Sequence, residues 1–256
     1  MTKLIIKNLF LIPFVVFILS SCEWDIFKRD SYEGPNSTLQ GGFKDVVTGE
    51  LVPTDVTNGS RLQLQELGRP TGLLTRSAKP TGEYCDALFF AGDYSINFNA
   101  CNFYPFIIDS IRVNKGVNNV DFQVTPYIRV KNANIRVEGD SIIATFNLQA
   151  GNPEVRLNNF RLYVHTDIYV GDQVTTFTPQ GSGYTQTFSP TAVIDENTVY
   201  RLGIDLKQEN NQTYFKYQRN YYFRVGAMAA IASGGTSVGT IRRNYSLTSV
   251  INFKAN

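Results

Sequence analysis

The stretch "EYCDALFFAGDYSINF", residues 83–98, limits the fold more than any other. Tyr84, Leu88, Phe90, Tyr94, Ile96 and Phe98 fall at even spacings around Gly92. Side chains alternate across a strand, so this period of two predicts one shared inner face on two strands joined by a tight turn. "SRLQLQEL" alternates in the same way, with Leu62, Leu64 and Glu66 on one side and Arg61, Gln63 and Gln65 on the other. Long apolar patterns with a 3.6-residue period are missing. Plentiful aromatic residues and scattered Gly and Pro divide the chain into short runs. That pattern is all-β.

One segment stands apart. Lys3 and Lys7 precede an apolar run from Leu9 to Leu19, broken only by Pro13, and the small residues Ser20 and Ser21 follow. As a helix the run would rise only about 16 Å, half of a ~30 Å hydrocarbon core. Residues 1–21 therefore read as an export signal rather than a membrane span. "LSSC", Leu19 to Cys22, resembles the lipobox of bacterial lipoproteins. That resemblance implies a diacylglycerol on the Cys22 sulfur, a tether over residues 22–33 and a lipid anchor in the outer membrane. Each buried methylene adds roughly 0.8 kcal/mol, so multiple acyl chains hold essentially permanently. Glu23 and Asp25 behind the cysteine resemble the signal that sends Bacteroidota lipoproteins to the cell exterior. Trp24 suits the headgroup boundary, where indole is favoured.

The rest divides near "TPY", Thr125 to Tyr127, because Pro126 biases its predecessor towards an extended conformation. Residues 34–125 and 126–256 read as two tandem β-sandwiches. In the first, "GGFKDVVTGELV" and the Gly82-x-Tyr84, Leu88, Gly92-x-Tyr94 series resemble the carboxypeptidase-regulatory-like, transthyretin-like domain. In the second, "YYFRVGA" resembles the penultimate strand of a fibronectin type III or immunoglobulin-like sandwich, with Tyr221, Phe223, Val225 and Ala227 inward. The whole layout resembles a Bacteroidota lipoprotein family of unknown function that accompanies SusC- and SusD-like glycan importers. It implies an accessory role in polysaccharide capture, by binding glycan or by bracing the importer. The competing class is a structural or adhesive lipoprotein with no carbohydrate role.

Composition narrows the partners. The chain carries 24 Lys and Arg against 22 Asp and Glu, and loss of residues 1–21 removes two lysines and balances them. No basic stripe serves a phosphate backbone, so nucleic acid is not expected. His165 is the single histidine, and neither a His-Glu-x-x-His, a Cys-x-x-Cys pair, a P-loop nor a full dinucleotide fingerprint occurs. No catalytic residue, metal or cofactor is expected. Cys85 and Cys101 would close a loop of about fifteen residues, worth roughly 3 kcal/mol if bridged. Each could equally be a buried thiol.

The richest candidate face comes from "FRLYVHTDIYV". Phe160, Leu162, Val164, Ile168 and Val170 alternate to one side with Thr166, facing the core; Arg161, Tyr163, His165, Asp167 and Tyr169 take the other. Beside that strand, Tyr222 and Arg224 would complete an exposed face of aromatic and polar groups. Such a face suits a glycan, a protein partner or plain cross-strand pairing on a solvated sheet. Two loops are rivals. Asn99 to Phe106 carries Phe103, Tyr104 and Phe106, and Asn210 to Asn220 carries Tyr214, Phe215 and Tyr217. Each is a binding rim or a hydrophobic plug. "DSI" occurs twice, so Ser110 and Ser141 resemble Bacteroidota O-glycosylation acceptors. The sequons at Asn36, Asn58, Asn211 and Asn244 carry little weight in a bacterial lipoprotein.

Overall fold

The computed structural model describes residues 33–69, 72–175, 177–232 and 239–255. The expected signal at 1–21, Cys22, Trp24 and nearly all of the tether lie outside the described residues. Among the described residues strand accounts for 56% and helix for 3%, so the period-two reading of an all-β fold holds. Pro35–Asn256 forms one compact unit.

Its first half contains β1 (Ser37–Asp45), β2 (Arg61–Glu66), β3 (Leu74–Ser77), β4 (Glu83–Phe89), β5 (Gly92–Asn97), β6 (Ala100–Cys101), β7 (Ile107–Val113), β8 (Gly116–Asn119) and β9 (Phe122–Val124). One sheet runs β4-β1-β8, with β9 also on β1, and the facing sheet runs β3-β2-β5-β7. Between them lie Leu39, Phe43, Leu62, Leu64, Tyr84, Tyr94, Ile96, Phe98 and Phe122, all buried. Gly41 is needed here, since a Cβ would sit 1.8 Å from the Val120 carbonyl oxygen where the β8–β9 link crosses β1.

The second half contains β10 (Ile128–Glu138), β11 (Ser141–Ala150), β12 (Val155–His165), β13 (Thr185–Val193), β14 (Tyr200–Asp205), α1 (Glu209–Tyr214), β15 (Arg219–Ile231), β16 (Thr240–Ile241), β17 (Asn244–Tyr245) and β18 (Ser249–Phe253). Sheet β10-β11-β14 packs against β13-β12-β15-β17, with β18 also on β15. Tyr221, Phe223, Val225 and Ala227 do point into this core, with Phe146, Phe160, Leu162 and Phe215.

The alternation read from residues 83–98 breaks in one place. Leu88 is 73% exposed and Phe90 43%, while Phe89 between them is 1% exposed. The cause is a bulge. Ser37 pairs with Phe89 but Leu39 with Asp86, so β4 fits one extra residue into the interval and its side chains change face.

The two cores are joined by strand pairing and buried polar contacts. β16 pairs in parallel with β6, across the halves. Arg129, at the start of β10, makes a bidentate pair with Asp45 at the end of β1: Nε to Oδ2 is 2.5 Å and Nη2 to Oδ1 2.7 Å. Both side chains are under 9% exposed. Asn102, fully buried, donates to the Pro53 carbonyl (2.8 Å) and accepts from Ser60 Oγ, while its own carbonyl accepts from Asn244 Nδ2. Buried polar groups in a network of this kind fix one arrangement, because every alternative leaves some of them dry and unpaired.

Of the two alternatives left open for Cys85 and Cys101, the bridge is not formed, and both thiols are free. Cys85 is exposed on β4 and points its S–H at Gln40 Oε1. Cys101 is buried with its S–H towards the Arg61 carbonyl. Burial, eased slightly by that contact, pushes the Cys101 thiol up to about 12. The thiolate is the reactive form. In the native protein at pH 8, iodoacetamide will modify Cys85 and spare Cys101, as read by peptide mass spectrometry; equal labelling would show that the β6 region opens.

Candidate functional site

The face expected on β12 and β15 is assembled in part. The strands pair as expected, Tyr163 opposite Arg224 and His165 opposite Tyr222. The face is not exposed, however: Tyr163 and Arg224 are each 1% exposed. The first sandwich covers them. Arg224 donates to the carbonyls of Thr54 (3.0 Å) and Pro80 (3.4 Å) from that half, and to Ser246 (3.0 Å) and Val170 (3.4 Å) from its own. Its guanidinium also lies 4.4 Å from the Tyr245 ring centroid. Tyr163 donates to Asp172 Oδ1, and the Tyr245 hydroxyl to Asp55 Oδ2. Gly226 is glycine because a Cβ there would meet both the Tyr163 and Tyr245 rings within 3.0 Å. Burial raises the pKa of both tyrosines.

β12 also ends sooner than its alternation suggests. His165 Nδ1 accepts the Asp167 N–H, and Asp167 Oδ1 accepts the Tyr169 N–H, two successive side-chain turns that curl the chain off the sheet. Ile168 is consequently 55% exposed and Thr166 is exposed too, not core. Val170 is buried, but in the junction cluster with Tyr163 and Tyr245. Arg161, His165, Asp167, Tyr169 and Tyr222 keep some exposure.

Of the rival loops, Asn99 to Phe106 is a plug and a strut. Phe103 is fully buried in the first core, and Tyr104 packs on Tyr127 at 4.8 Å while donating to Glu154 of the second half. The Asn210 to Asn220 loop is both things at once. Phe215, 0% exposed, plugs the core against Tyr221 (4.8 Å) and Phe253 (5.3 Å). Its neighbours form a rim.

That rim is rigidly mounted. Asn211 is fully buried and ties α1 to two loops, donating to the Asp205 carbonyl (2.7 Å) and accepting the Gln180 N–H (2.7 Å). The Tyr221 hydroxyl donates to the carbonyls of Tyr214 and Tyr217, each at 3.1 Å, fixing the backbone after the helix. On this support Tyr214 stacks face to face with Phe177 at 3.9 Å and 6°. Tyr217 stands 59% exposed. With Thr178, Asn210, Thr213 and Arg219 these rings line an open depression of about 430 Å³. Flat aromatic faces beside hydroxyl, amide and guanidinium groups offer stacking and hydrogen bonding, the chemistry of holding a ligand. Among the described residues no carboxylate or histidine lines it.

Phe177 and Thr178 were not singled out in the sequence. Nothing in the polar stretch around them indicates that Phe177 meets a ring 37 positions away. Ser110 is exposed on β7 and Ser141 half-buried at the start of β11; the sequon residues Asn211 and Asn244 are buried, holding structure together. Among the described residues no cluster of His, Cys, Asp and Glu could hold a metal, and no helix is long and apolar enough to cross a membrane.

Fold and site together define an all-β protein of two joined sandwiches that carries an open aromatic depression. Residues 128–232 match a family described as Domain of unknown function (DUF3823_C). A Bacteroides uniformis protein of solved structure, named a "putative carbohydrate binding protein", is 40% identical, with a TM-score of 0.80 over 86% of this chain and 100% of its own. The chain belongs to the DUF3823 family. Family proteins from Bacteroides ovatus (20% identity, TM-score 0.65, 85% of this chain) and Parabacteroides merdae (21%, 0.63, 87%) share the fold over their full lengths. No curated protein matches the chain.

Proposed function

We propose that this protein is a non-catalytic glycan-binding lipoprotein, held in the outer membrane by acyl chains on Cys22 and facing the cell exterior. It serves as an accessory to a polysaccharide capture system built around SusC- and SusD-like importer components. On this reading its first sandwich is carboxypeptidase-regulatory-like and its second fibronectin-like. The observation that carries the reading is the ring pair Phe177–Tyr214 with exposed Tyr217 beside it, fixed from below by Asn211 and the Tyr221 hydroxyl. A preformed aromatic platform binds a pyranose face without first losing side-chain entropy. The name of the Bacteroides uniformis relative supports the same ligand class.

The test is a retardation-gel screen against polysaccharides, followed by calorimetry. Tyr217→Ala removes an exposed ring and is expected to weaken binding about tenfold with the melting temperature unchanged. Silence against every polysaccharide, with an importer component recovered by pull-down, would replace glycan binding with bracing. A free thiol at Cys22 in the mature protein would remove the anchor.

A further inference from the structure

We infer that the depression selects acidic glycans, those bearing uronate or sulfate groups, and that Arg219 is the residue that reads the charge. This deepens the glycan reading and depends on it. Arg219 opens β15 at the lip of the depression. Its guanidinium carbon lies 5.1 Å from the Tyr221 ring centroid, 5.9 Å from Tyr214 and 6.0 Å from Tyr217. Among the described residues it makes no ion pair and no side-chain hydrogen bond. Exposed Arg112 and Arg136 do find carboxylates, Asp93 and Glu138, whereas exposed Arg201 on β14 shows no ion pair among the described residues either.

What sets Arg219 apart from these is its place among three rings. Ring faces attract a cation and restrict its motion, but they neutralise no charge and accept few of its five N–H donors. Arg219 is thus oriented without being satisfied, and its planar fork matches two oxygens of a carboxylate or sulfate. A second cation reinforces it, since Lys216 Nζ lies 4.9 Å from the Tyr217 ring centroid. Among the described residues no acidic side chain lines the depression; Glu209, in the first turn of α1, is outside the lining. A neutral sugar would leave both cations uncompensated, whereas an acidic residue seated on the rings would pair with Arg219.

The test compares the purified full chain with its Arg219→Gln, Arg219→Lys and Tyr217→Ala forms against polygalacturonate, chondroitin sulfate and two neutral polysaccharides, mannan and laminarin. The expected result is binding to an acidic probe that falls about tenfold or more in Arg219→Gln, as lost hydrogen bonds to a charged group predict. Arg219→Lys should fall between, keeping the charge but losing the fork. Raising the salt to 0.5 M should weaken the acidic probe selectively. Unchanged melting temperatures establish that the exposed substitutions leave the fold intact. Acidic binding indifferent to Arg219→Gln overturns the inference. So does binding confined to neutral glycans; loss of that binding in Tyr217→Ala would then leave the glycan site standing and remove only its charge selectivity. Binding to no probe removes both.

Discussion

Replacing Arg129 with leucine will lower the stability of the folded chain by about 3–5 kcal/mol, the ordinary result of stripping one partner from a buried ion pair. The substitution leaves the Asp45 carboxylate, 4% exposed, with the Val47 N–H and the Thr48 side chain but without its arginine partner. Urea denaturation of wild type and variant reads the loss directly. Replacing both residues with leucine should recover much of it, because the pair's own desolvation cost then disappears. Recovery will be incomplete, since the Val47 N–H loses its acceptor.

The same pair sets an acid response. Burial alone would raise the Asp45 pKa, but the Arg129 hydrogen bonds and charge, with the Val47 N–H, outweigh it, and the carboxyl sits below its ordinary value of 3.8. A group depressed in the folded state stabilises fully above its unfolded pKa and loses that contribution as pH falls towards the folded one. The wild type should therefore lose this stabilisation below pH 3.8. In Arg129→Leu burial is opposed only by the Val47 N–H and the Thr48 side chain, so the depression shrinks and the variant should lose less stability than the wild type as pH falls through this range. Parallel pH profiles in the two proteins would contradict the assignment.

The second large effect belongs to Arg224. Arg224→Met keeps much of the aliphatic volume but deprives the carbonyls of Thr54, Val170, Ser246 and Pro80 of their donor in a dry setting. Leaving buried acceptors unpaired costs about 1–3 kcal/mol each before relaxation, so a loss of about 3–5 kcal/mol is expected overall. Burial lowers the Arg224 pKa to about 10, with Tyr245 and Asp55 opposing the fall, so the side chain is still charged at neutral pH. Two of its acceptors sit in each half. The variant should therefore show faster amide exchange in both the Thr54–Ser60 loop and the Val170–Asp172 turn. Faster exchange in one half alone would mean that Arg224 supports its own sandwich rather than the junction.

Much of this fold was legible because a strand half-buried in a sandwich must alternate. Leu62 and Leu64 on β2, and Tyr221 to Ala227 on β15, lie where their spacing put them. Alternation failed at β4 because a bulge is set by register against β1, a property of the pair and not of either sequence. The candidate face shows a different limit. Period two correctly grouped Arg161, Tyr163 and His165, and correctly set them beside Tyr222 and Arg224. It says nothing about whether that outer face meets water or another sandwich. The covering group, the Thr54 carbonyl, is 170 positions from Arg224. The depression was half visible: Tyr214, Phe215 and Tyr217 stood out as an aromatic run, but the division into plug and rim depends on Asn211 and Tyr221 turning the chain.

On the proposed function, ligand is held on the rim after α1, and the face shared by β12 and β15 serves the junction. Chemical-shift mapping of isotope-labelled protein titrated with the tightest-binding polysaccharide fragment tests it most directly. Perturbations centred on Phe177, Tyr214, Tyr217 and Arg219, with Arg161, His165 and Tyr222 unmoved, are the predicted result. Perturbations centred on those latter three, with the rim silent, would contradict it.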